Sequence, residues 1–72
     1  MSYYLVKFDK KGSAPTDEAQ KVMIEVTGMS AARDRADEVA ERGGGGKAIV
    51  QIFNEVGLVA TRTAAGVWGS GG

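Results

Sequence analysis

Two periods of apolar residues run through this chain. Apolar positions alternate with polar ones over Tyr3–Phe8 and over Val22–Thr27, and again across Lys47–Phe53 and Leu58–Thr63. A period of two is that of a pleated strand with one face turned toward a core. Between the second and third of these stretches, Ala32, Ala36, Val39 and Ala40 recur at i, i+4, i+7 and i+8, which is the apolar stripe of an amphipathic helix over Ala31–Arg42. Ser30 stands where an N-cap is expected. Asn54-Glu55-Val56-Gly57 has the polar start and terminal glycine of a hairpin turn.

The order is therefore β-β-α-β-β. It predicts a single α+β domain: an antiparallel or mixed sheet of about four strands, with one helix packed on one face. The link Asp9–Pro15 is long for a hairpin, and Thr16–Ala19 is compatible with one helical turn or with loop. Residues 1–66 form the expected domain. The stretch after it, 67–72, is rich in glycine and is expected to be irregular or disordered, although Trp68 is too large and apolar to be left in water without reason.

Alternation also assigns the faces. Val6, Phe8, Val22, Ile24, Val26, Val50, Ile52 and Val59 suit the side under the helix, where short alanines allow close packing. The other side carries Leu5, Met23, Ile49, Phe53 and Leu58 among Lys7, Glu25, Thr27, Gln51 and Arg62. That mixture is too apolar for a freely solvated sheet and suits a contact surface. Two coverings are open: Trp68 folding back over it, or a partner.

Composition narrows the function classes. A chain of 72 residues buries only about 60% of its unfolded surface, so a partner would add to a thin margin of stability. There is no cysteine and no histidine, which removes disulfides, thiolate zinc sites, the commonest general base and the commonest transition-metal ligand. Nine Lys/Arg balance nine Asp/Glu, so no global field recruits nucleic acid or an acidic membrane. No signal-peptide pattern and no membrane-length apolar run is present, and a cytoplasmic location is the default expectation.

Three local constellations remain. Gly43 to Gly46 followed by Lys47 resembles a phosphate loop only in composition, because a phosphate loop precedes a helix and this run follows one, at the negative end of its dipole. The glycines read as a left-handed C-cap at Gly43 or Gly44 plus a turn, with room for another group to approach closely. Asp34, Asp37, Glu38 and Glu41 share one helix face and are read as solvated, paired in part as Arg33 with Asp37 and Glu38 with Arg42. Lys7, Lys10, Lys11 and Lys21 gather near Tyr3, Tyr4 and Phe8, and with Arg62 they form the candidate surface for nucleic acid, diluted by neighbouring carboxylates.

The strand pair, the Ala-rich helix ending in glycines and the hairpin "AIVQIFNEVGLVATR" resemble, over residues 22–63, the small bacterial proteins grouped as domains of unknown function of the DUF2188 type. The resemblance implies the β-β-α-β-β fold and carries no activity. No nucleophile, base and oxyanion donor can be assembled, so an enzyme is not expected, and neither is a cofactor or metal. The expected function is a non-enzymatic interaction module, a homodimer or a unit docking on another protein through Leu5, Met23, Ile49, Phe53 and Leu58. Nucleic-acid binding is the alternative.

Overall fold

The chain is described by a computed structural model over residues 2–9, 19–43 and 48–70. Its elements are β1 (Ser2–Phe8), β2 (Gln20–Val26), α1 (Met29–Arg42), β3 (Val50–Phe53), β4 (Leu58–Arg62) and β5 (Trp68–Ser70). They form one helix on a five-stranded sheet of order β2-β1-β3-β4-β5, antiparallel at every pairing. Since β1 pairs antiparallel with both β2 and β3, the chain leaving β2 crosses over through α1 and returns one strand further on. Strand β1 is thereby enclosed.

Burial follows the alternation. Val6 and Phe8 of β1, Ile24 of β2, Val50 and Ile52 of β3 and Ala60 of β4 meet Ala32, Ala36 and Ala40 of α1, with Ala48 completing the core. The three helix alanines have no exposed surface, and their four-residue spacing aligns them in one stripe. A methyl-sized side chain lets the helix axis come close enough for the β-branched and aromatic residues below to fill the gap. Each fully buried Val, Ile or Phe contributes about 1.5 to 3 kcal/mol of transfer free energy.

The boundaries differ from the sequence expectation for identifiable reasons. Strand β2 begins at Gln20 because the end of β1 still offers partners: Phe8 faces Gln20 and Lys7 faces Lys21. Strand β3 begins at Val50 because Phe8, its partner there, is the last residue of β1, and Ile49 has no ladder to join. The helix begins at Met29, with Gly28 at the cap and no side-chain cap bond. Ser30 is inside the first turn and is not the N-cap. Met29 packs on the core, so the chain enters the helix as soon as it leaves the sheet.

The first glycine after the helix is not left-handed. Gly43 has φ −79°, and its N–H donates to the Val39 carbonyl at 3.0 Å. What it supplies is absence of a side chain: a Cβ there would lie 2.7 Å from Cε2 and Cζ of Phe8. The ring of Phe8 is buried and packs against bare backbone. The rest of the run, 44–46, and Lys47 lie outside the described residues.

The C-terminal stretch corrects a second expectation. Residues 68–70 are not an irregular tail but a strand, β5, paired with β4. The link holds itself in shape: Thr63 N–H donates to the Val67 carbonyl at 2.9 Å, Gly66 N–H to the Thr63 carbonyl at 2.9 Å, and Val67 N–H to Thr63 Oγ1 at 3.2 Å. Gly66 takes φ +88°, the left-handed position that closes a three-residue hairpin loop.

Candidate functional site

Trp68 settles which side of the sheet the C-terminal strand covers. It pairs with Arg62, which pairs with Val50, and Val50 faces the helix. Both side chains therefore lie on the helix side. Trp68 Nε1–H donates to Asp37 Oδ1 and Oδ2 at 3.2 and 3.3 Å, and Arg62 Nη1 meets Asp37 Oδ1 at 2.8 Å while Nη2 donates to the Ala48 carbonyl at 3.1 Å. Asp37 of α1 is thus tied to β4 and β5 and does not pair with Arg33. Its neighbours on the helix behave as expected for a solvated face: Glu38 pairs with Arg42 at 3.0 Å, and also with Arg35 at 2.9 Å.

This cluster closes one of the two coverings left open for the outer face and corrects one expectation. Trp68 does not lie over the open face. Arg62, only 5% exposed, is withdrawn from any nucleic-acid surface because it spans the gap between sheet and helix.

On the side away from the helix, the register aligns one apolar row across four strands. Met23 stands beside Leu5, Leu5 beside Phe53 and Phe53 beside Leu58. Leu58 reaches this row through an irregularity between Ile52 and Phe53, where Ile52 pairs with Ala60 but Phe53 with Leu58. Val59, the extra residue, packs against the core. A bulge shifts which side chains face outward. Ile49 precedes β3 and stands outside the row, four residues before Phe53 and beyond the line of Lys7 and Gln51. Thr27 likewise falls beyond the end of β2.

Polar residues flank the row unequally. On one side lie Lys21, Lys7, Gln51 and Thr61, again in register across the four strands. On the other, Tyr3 stands beside Glu25. The Glu25 carboxylate accepts from the Tyr3 phenol and raises its pKa above the ordinary 10.0. Lys7 Nζ sits 5.5 Å from the centroid of the Phe53 ring, within range of a cation–π contact.

Tyr3, Leu5, Met23 and Phe53, with Asn54 and Glu55 of the hairpin turn, line a shallow hollow of about 280 Å³. Tyr3 and Met23 are 63% and 62% exposed. Four of the five expected interface residues are brought together. Tyr3 is the member missed, although its position two residues before Leu5 puts it on the same side. Of the expected basic set, Lys7 and Lys21 face one another across β1 and β2, while Lys10 and Lys11 lie outside the described residues.

Among the described residues no three acidic side chains converge on a metal-sized site, and no helix is long and apolar enough to cross a membrane. The chain matches no protein-family model, no curated protein and no solved structure.

Proposed function

We propose that this protein is a small non-enzymatic interaction module whose open sheet face docks on another protein surface, its own copy included. The row Met23–Leu5–Phe53–Leu58 carries this reading. A half-solvated antiparallel sheet normally turns polar side chains outward. Here the centre of the outer face is apolar and its margins are charged, the layout of a contact patch with a dry centre and a wet rim. The helix packs on the opposite side, and the one large aromatic of the C-terminal strand is committed there too.

Light scattering over a wide concentration range tests the reading. The expected result is a mass above that of one chain, reduced by Phe53→Glu, which places an ion in the patch centre. A monomer at every concentration, together with unchanged thermal stability in Phe53→Glu, would end it.

Nucleic acid is the weaker reading. Lys7 beside the Phe53 ring favours it, but Glu25 on the same face and the withdrawal of Arg62 leave too little positive charge to track a backbone. Fluorescence anisotropy is expected to show weak or no binding to single-stranded or duplex probes at about 0.15 M salt.

A further inference from the structure

We infer that the partner of the open face is a second copy of this chain, stacked so that the two apolar rows lie along each other with Lys21 of each copy opposite Glu25 of the other. The inference rests on the open-face reading and adds the partner and its orientation. Strand β2 crosses the face as Lys21, Met23 and Glu25, one charge of each sign two residues to either side of the row. Strand β1 crosses it as Lys7, Leu5 and Tyr3, with a positive charge on one side of the row and a neutral phenol on the other. Lys21 and Lys7 thus stand along one margin, and Glu25 with the neighbouring Glu55 of the hairpin along the other.

Closed symmetry leaves two simple ways to stack such a face on itself, because a two-fold axis relating two packed sheets lies in the plane between them. An axis parallel to the strands keeps each margin over the same margin but reverses the strand order, so Lys7 and Lys21 come over Thr61 and Gly69 and meet no carboxylate. An axis along the apolar row reverses strand direction and keeps each residue over its own strand. Met23 then lies on Met23, Leu5 on Leu5 and Phe53 on Phe53, while Lys21 comes over Glu25 twice and Lys7 over Tyr3 twice. The first arrangement leaves the lysines of each copy without an opposite charge across the interface, and the paired opposite charges at Lys21 and Glu25 favour the second.

Size sets the strength of the pairing. Strands of seven, seven, four, five and three residues about 4.8 Å apart present on the order of 400 Å² per copy, so a stacked pair buries about 800 Å², the extent of a weak, reversible association. A short peptide would cover only part of it.

Charge reversal tests the orientation. Lys21→Glu alone sets Glu against Glu25 at both contacts, and Glu25→Lys alone sets Lys21 against Lys. Each variant is expected to dissociate about tenfold or more readily in sedimentation velocity, with circular dichroism confirming that it folds. Mixed in equal amounts, the two reversed chains present Glu against Lys at both contacts and should recover the wild-type dimer. The double variant should pair with itself. If the wild type is dimeric and Phe53→Glu dissociates it, but the mixture stays as weak as its components, the face docks and the proposed orientation is wrong. If the wild type is monomeric throughout and Phe53→Glu is silent, the open-face reading fails together with it.

Discussion

The two faces of this sheet are built from the same strands, residue by residue, and they solve opposite problems. Under the helix, Val6, Phe8, Ile24, Val50 and Ile52 meet three alanines with no exposed surface, and Arg62, the one buried charge among the described residues, is held by Asp37 and a carbonyl. On the other side, Leu5, Met23 and Phe53 alternate with those residues, yet the row they form is bordered by Lys7, Lys21 and Glu25. The first face is closed within the chain. The second has an apolar centre and titratable margins, which a single chain of this size cannot bury without stranding the charges. Closure inside and incompleteness outside thus arise from one alternating pattern.

Neighbouring residues of β3 give the largest test of that difference. Ile52 has no exposed surface, and Ile52→Ala should cost about 2 to 5 kcal/mol. That is a large share of a small domain's stability, and the loss should be the same at every protein concentration. On the proposed reading, Phe53→Ala should cost less in dilute solution and progressively more as concentration rises, because the contacts it loses would belong to an assembly. Chemical denaturation at two well-separated concentrations checks both. Equal, concentration-independent losses would mean that both faces are closed within one chain.

A smaller effect is expected where the helix leaves the core. Gly43→Ala would place a methyl 2.7 Å from the Phe8 ring, and the ring is walled in. The change should cost about 1 to 3 kcal/mol by overpacking, read from denaturation midpoints. If Gly43 served only as a flexible joint, alanine at its φ of −79° would be neutral or mildly stabilising. The sign of the shift separates the two.

That contrast also marks how far the sequence could be read. The strand alternation and the helical stripe placed the helix, the first four strands, most core side chains and the Leu5, Met23 and Phe53 part of the apolar row, because burial on one face selects residue type directly. They did not place Ile49, which lies outside the row. Asn54–Gly57 was legible as a turn, and the structure shows Asn54 Oδ1 accepting from the N–H groups of Val56 and Gly57 at 2.8 and 3.1 Å. Strand β5 was not, since Trp68-Gly69-Ser70 is too short and too glycine-rich to show alternation. Its signal lay in the loop before it, Thr63 to Gly66, whose glycine fits a three-residue hairpin. Arg62 was misplaced for a related reason: a charge at an inward position is legible only once its partner, 25 residues away on the helix, is known. Leu58 reached the row through a bulge, which no periodic reading contains.

The smallest expected effect probes the acidic margin of the open face. Tyr3 is exposed and stands opposite Glu25, whose side chain accepts a hydrogen bond from the phenol and raises its pKa above 10.0. A raised value means that the folded protein keeps this proton to higher pH than the unfolded chain does. The contribution to stability is therefore complete below about pH 10 and is lost as pH rises through the folded value. The phenolate absorbance of Tyr3, isolated by comparison with Tyr3→Phe, should appear late in an alkaline titration. Glu25→Gln weakens the hydrogen bond that holds the phenol proton and should bring the titration back toward the ordinary tyrosine range, with little change in stability at neutral pH. A Tyr3 titration that Glu25→Gln leaves unmoved would show that the two side chains are not coupled, and would remove the tyrosine from the acidic margin.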